Sequence, residues 1–199
     1  MNVGEMQDLI QILSIEQADN SYSWETATEI WSKAERQTTR NIYSNFGQSA
    51  KSVKFTIREY EYDLSLHNAI RWNDLHCILT DIIHTENREF IIVTAALVNP
   101  QVCTIKRDSE PGYDSLNRPV YSEPISIIFP GILAEKFNRN IQEQPMTTIE
   151  TSLILIIPKA ITLQEGELVT IDNTDYEVQL AHTLDEFKNE YEIISRRNV

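Results

Sequence analysis

Ala69-Ile70-Arg71-Trp72-Asn73-Asp74-Leu75-His76-Cys77-Ile78 reads as a β-hairpin. Apolar and polar residues alternate on both sides of Asn73-Asp74, and Asn and Asp tolerate the left-handed backbone of a tight turn. The same pattern returns at Leu168-Val169-Thr170-Ile171, which turns through Asp172-Asn173-Thr174 into Asp175-Tyr176-Glu177-Val178, at an offset read as 100. Upstream of each hairpin stands another alternating run. Val53, Phe55 and Ile57 match Thr151, Leu153 and Leu155 at an offset of 98. Downstream, Arg88 to Val93 matches Asn189 to Ile194 at an offset of 101. A drift of this size is what small loop insertions in a duplicated unit produce.

The proline distribution marks the same seam, since all 7 prolines lie from Pro100 onward and Asn99-Pro100 is a natural boundary. Period-2 alternation predicts strands at 8–16, 25–35, 51–59, 68–72, 75–84 and 88–97 in the first half. In the second it predicts 101–107, 118–123, 125–135, 150–157, 167–172, 175–182 and 189–196. The expected fold is all-β: two related small β-barrel or sandwich-like modules in tandem, 1–99 and 100–199, with long inter-strand loops. Trp31, Trp72 and Phe55 are expected in the first core, and Leu153 and Leu155 in the second. Trp24, in a polar approach segment, is expected at an interface.

Composition narrows the function. In 199 residues, 41% are hydrophobic and 24% charged, which is the balance of a folded chain. The formal charge is −13, spread as −6 over residues 1–99 and −7 over 100–199. No basic stripe of the kind that grips phosphate is visible, which argues against conventional nucleic-acid readout. No run approaches the roughly 18 to 20 apolar residues of a membrane helix. Met1 to Asp8 has neither a basic n-region nor an apolar h-region, so no secretory signal is expected and assembly in a cytoplasm is the default.

The chemistry-bearing side chains form no recognisable constellation. Cys77 and Cys103 are expected to be buried thiols. His76, Cys77, His84 and Cys103 match no zinc spacing, because alternation sends His76 and Cys77 to opposite faces of one strand. Glu59, Glu61 and Asp63 share one side of an extended segment and read as a solvated face or a subunit contact. With no nucleophile elbow and no phosphate-binding glycine loop, the sequence predicts no enzyme activity, no metal and no cofactor. One segment per half breaks the strand rhythm, Glu35 to Ser52 and Phe137 to Ile149. Both are polar and amide-rich, and long loops in compact modules tend to be functional. Arg36, Arg40, Lys51 and Lys54 make a weak basic cluster around the first.

Several stretches together resemble the tailed-phage head-tail joining family, the head-completion or stopper proteins of the phage neck. They are Gly4 to Ile12, Ile30-Trp31-Ser32-Lys33-Ala34, Phe55-Thr56-Ile57-Arg58-Glu59-Tyr60, the 69–78 hairpin and Glu89 to Leu97. The resemblance covers about residues 3–98. Thr104 to Arg107, Thr151 to Pro158 and Gly166 to Val178 look like a more distant copy, with Ile128-Phe129-Pro130-Gly131 replacing the Trp-bearing strand.

The resemblance implies a virion protein at the head-tail interface, assembled in the host cytoplasm into a sixfold or twelvefold ring of its own copies. Its implied neighbours are a portal or connector adaptor ring on one side and tail terminator or tail tube proteins on the other. Packaged DNA would pass through without sequence-specific binding, and no membrane is involved. On that plan the two long loops reach the channel or a partner ring, are mobile in an isolated subunit and order on assembly. The candidate residues are Arg36, Arg40, Asn41, Tyr43, Asn45, Phe46, Gln48 and Lys51 in the first loop, and Asn138, Arg139 and Gln142 in the second. The alternatives are a tail-terminator or connector adaptor made of the same barrel, and a non-phage β-sandwich carbohydrate-binding module using Trp24 and Tyr22.

Overall fold

A computed structural model describes residues 6–37, 51–59, 64–86, 88–108, 112–113, 116, 118–120, 123–137 and 151–196. Its regular structure is entirely β. The first half contains β1 (Asp8–Ala18), β2 (Ser21–Gln37), β3 (Ser52–Arg58), β4 (Ala69–Trp72), β5 (Leu75–His84) and β6 (Phe90–Val98). They hydrogen-bond in the order β1-β4-β5-β6-β3-β2, and β2 pairs back to β1, closing a ring of antiparallel strands. After Asn99 and Pro100 comes β7 (Gln101–Arg107), then a separate two-stranded ribbon of β8 (Gly112–Tyr113) and β9 (Pro119–Val120). Of the strand expected over 118–123, β9 accounts for Pro119–Val120, and residues 121–122 lie outside the described residues. The chain continues as β10 (Ile125–Phe137), β11 (Thr151–Pro158), β12 (Leu168–Ile171), β13 (Thr174–His182) and β14 (Lys188–Ser195).

The second half closes in the order β7-β12-β13-β14-β11-β10 and back to β7. Strand for strand this is the first ring again. Local details repeat with it. Both hairpin turns hold two residues in left-handed conformation, Asn73 and Asp74 (φ 48° and 61°) and Asp172 and Asn173 (φ 46° and 61°), as the mirror-image turns of two-residue hairpins require. Each ring has a register shift at the same place, between Leu79 and Asp81 in β5 and between Val178 and Leu180 in β13. A bulge adds a residue and bends the strand, which helps so small a sheet close on itself.

The ladders correct the sequence offsets. Thr174 pairs with Ile171, so the second turn has two residues and not three, and the hairpins stand 99 positions apart. Phe55 pairs with Val93 and Leu155 with Tyr191, which puts β3 and β11 100 apart and β6 and β14 98 apart. The expected 98 for the first of these was an even slip and kept the faces right. The expected 101 for the second was an odd slip, and with a side-chain period of two it matched inward positions to outward ones.

Each ring encloses its own core. Ile10, Val53, Phe55, Ile70, Trp72 and Val93 fill the first, with the Phe55 ring edge-on to Trp72 at 5.8 Å. Trp72 Nε1 donates to Asp8 Oδ1 at 3.1 Å, so its one polar atom is satisfied. Cys103, Phe129, Leu155, Val169, Val178 and Tyr191 fill the second, and Leu153 packs against it half-buried. Trp31 departs from expectation: it is 58% exposed. Ile30 and Ser32 are the inward residues of β2, and the Ser32 hydroxyl is satisfied by donating to the Asp8 carbonyl at 3.1 Å, so alternation turns Trp31 outward.

The rings touch where the β1–β2 hairpin meets β10. Ile128 N–H donates to the Asn20 carbonyl at 2.9 Å, Ile128 lies opposite Ser21 in a parallel bridge, and Tyr22 packs against the second core.

Candidate functional site

The two long connections join equivalent strands, β2 to β3 and β10 to β11. The first is narrower than expected. Residues 35–37 extend β2 and Ser52 begins β3, with Ser52 Oγ donating to Gln37 Oε1 at 2.9 Å across the last rung. At the far side, Phe137 is still strand and pairs with Thr151. Arg40, Asn41, Tyr43, Asn45, Phe46, Gln48, Asn138, Arg139 and Gln142 lie outside the described residues.

Arg36 and Lys51 are described. The Arg36 guanidinium sits 5.3 Å from the centre of the Trp72 ring, at cation–π range. Lys51 is exposed, and its carbonyl accepts from Leu97 N–H at 2.8 Å. Lys54 lies across the ladder from Glu35, which also pairs with Lys33 at 2.9 Å. The Lys33 hydrogen bond and charge, with Lys54, hold the Glu35 carboxyl below its ordinary pKa. The expected basic cluster is thus divided, because successive residues of a strand face opposite ways. Arg36 turns inward over Trp72, while Lys54 joins an outward cluster with Lys33 and Glu35.

The other singled-out residues are tied into packing. Trp24 is half-buried with its ring 5.5 Å from His76. Burial, helped by the charge of Arg71, pushes the His76 pKa down to about 4, so the imidazole is neutral near pH 7. Tyr22 is packed on the second core, so Tyr22 and Trp24 do not form a common exposed platform of the kind a sugar ring needs. Cys77 and Cys103 belong to different cores, and burial pushes both thiols up to about 12, which leaves them unreactive. His84 Nδ1 lies 3.1 Å from Glu59 Oε1. Glu61 and Asp63 lie outside the described residues. Among the described residues no group of three or more His, Cys, Asp and Glu is placed to hold a metal ion.

Sequence reading missed two features. One is a clamp on the second ring. Arg107 Nε and Nη2 donate to Glu167 Oε1 and Oε2 at 2.6 and 3.1 Å, and Nη2 also reaches the Thr162 carbonyl at 2.6 Å. Burial alone would disfavour the Glu167 carboxylate. The Arg107 hydrogen bonds, the Gln164 N–H at 2.8 Å and the guanidinium charge outweigh it and lower its pKa. The pair is 60 positions apart in sequence, so no local pattern announces it.

The other is a cleft of about 840 Å³ between the rings. Trp24, Ile78 and Thr94 line it from the first, and Pro130, Ile132 and Ile156 from the second. His67 meets Phe187 edge-on at 5.0 Å across the same junction. Ile78, Thr94, Pro130, Ile132 and Ile156 are strand positions that face away from their own cores, which read in sequence like any solvated face until the rings are placed side by side.

No protein-family model, curated protein or solved structure matches the chain.

Proposed function

We propose that the protein is a structural component of a tailed-phage neck, in which its copies form a closed oligomeric annulus at the head-tail interface. There it closes the portal channel, retains packaged DNA and connects to the tail. The observation that carries this reading is the tandem repeat itself. Two six-strand rings of identical order stand in one chain, each with its long polar connection between the same two strands. Such a body offers repeated rigid walls for lateral packing and two equivalently placed segments for the axis or the next ring. A net charge of −13 agrees with a conduit, since a lining that bound phosphate tightly would impede ejection. The thiols, the neutral His76 and the Arg107–Glu167 pair serve packing.

The test is removal of residues 38–50 with a short Gly-Ser bridge. Gln37 and Ser52 already pair across the ladder, so the bridge spans adjacent strands, and loop-closure cost depends only weakly on length. Particles carrying the deletion are expected to package DNA but to leak it or fail to join tails. Fully infectious particles with stable DNA would overturn the gate role of this segment.

A further inference from the structure

The repeat supplies its own rule for what each outer face meets. Within the chain, the outward side of β10–β11 faces the outward side of β5–β6. Pro130, Ile132 and Ile156 line the junction from one side, and Ile78, Asp81, Thr94 and Ala96 from the other. Ile156 and Ala96 point away from their own cores, yet each is only 2% exposed. Every ring has both faces, so the chain leaves most of one of each kind outside the junction: β2–β3 on the first ring, of which only the Gln37–Ser52 end reaches the cleft, and β13–β14 on the second, of which Lys188 does.

These two faces are complementary. The ladders set Trp31, Lys33 and Thr56 in the places of Pro130, Ile132 and Ile156, at spacings of 99, 99 and 100. Lys54 and Arg58 flank them on β3. On the second ring, Glu177 and Leu180 take the places of Ile78 and Asp81, 99 positions on. Glu192 and Ile194 take those of Thr94 and Ala96, 98 positions on. Ile194 is 55% exposed where its counterpart Ala96 is covered, and Leu180 beside it is 43% exposed. The first face is therefore a tryptophan among cations, with Glu35 paired to Lys33. The second is two aliphatic side chains between glutamates, with Glu177 paired to Arg196 at 3.0 Å and Glu192 to His182 at 3.3 Å.

We infer that the β2–β3 face around Trp31 docks the β13–β14 face around Ile194 of a second copy, repeating between chains the contact that joins the two rings within one. The association is heterologous: each copy offers a different face to each neighbour, and a constant rotation per step carries the series round into an annulus. Trp31 supplies the apolar anchor against Leu180 and Ile194, and the lysines and Arg58 meet Glu177 and Glu192 at the rim. The inference deepens the annulus of the proposed function and rests on that reading only in expecting copies of the chain as neighbours.

Sedimentation and native mass measurement of the purified chain test it with two variants, Trp31→Glu and Ile194→Glu. Both positions are exposed, and unchanged circular dichroism checks the fold. The wild-type protein is expected to exceed the 23.0 kDa of one chain, and added salt should shift it toward that mass. Each variant alone should fall to 23.0 kDa, because each has lost a different face. An equimolar mixture should form a species of two chains and nothing larger, since each variant retains the face the other lacks. A wild-type chain that is monomeric up to its solubility limit overturns the inference, as do variants that assemble like wild type or a mixture that stays monomeric. Oligomers that form in solution with no such chain in virions would defeat the neck reading alone. Virions that contain a chain monomeric in isolation would defeat this inference alone.

Discussion

Phe55→Ala is expected to lower the unfolding free energy by about 3 to 5 kcal/mol, the usual cost of truncating an aromatic in a packed core. Phe55 has no exposed surface and lies edge-on to Trp72, and its neighbours across β2, β3 and β6 are Ala34 and Val93. The wall is a closed hydrogen-bonded ladder, so the backbone cannot collapse into the space and the cavity remains. Trp31→Ala is the control. It removes a larger side chain from the same region of sequence, but from the outer face, and on the dissociated chain it should change stability by about 0.5 kcal/mol or less. Denaturant titration of the two variants reads the contrast. Equal losses, or a larger loss at Trp31, would reverse the assignment of inner and outer faces in β2 and β3.

Tyr191 stands in the second ring where Val93 stands in the first, and there the effect of truncation divides into two parts. Its ring is fully buried, and its hydroxyl accepts from Leu163 N–H at 3.0 Å. Burial raises the phenol pKa, with the Leu163 hydrogen bond opposing it, so the group is neutral across the physiological range. Tyr191→Phe keeps the ring but strands a buried backbone donor, at about 1 to 3 kcal/mol. Tyr191→Ala adds the cavity and should cost more than about 3 kcal/mol. Hydrogen exchange at Leu163 separates the parts: its amide should lose protection in Tyr191→Phe while the β14 amides keep theirs. Retained protection at Leu163 would show that the phenol is not its acceptor.

Why some features were legible in sequence and others were not follows from the period of a strand. Val53, Phe55 and Ile57 alternate so regularly that β3 and its inward face could be read directly. Asn73-Asp74 and Asp172-Asn173 announced their turns, because few other residues take two successive left-handed conformations. Alignment of the halves was harder, since alternating aliphatic strands look alike when slid. A slip of two at β11 did no harm, but a slip of three at β14 exchanged Tyr191, which is buried, with its outward neighbours. Trp31 misled for a related reason. Its size argues for a core, while its place between Ile30 and Ser32 sends it out, and only the pairing with Leu9 settles which alternation holds. The junction face of Pro130, Ile132 and Ile156 has no signature of its own, because what makes it a junction is the other ring.

The proposed neck role requires copies of this chain to repeat around the axis of a portal vertex. Electron cryomicroscopy of the portal vertex of particles assembled with it is the most direct measurement. The expected map shows an annulus between portal and tail in which six-strand rings alternate between first and second halves, with the 38–50 segments reaching the channel or an adjoining ring. A vertex in which no density fits the twin rings, with the chain found elsewhere as a solitary monomer, would contradict it.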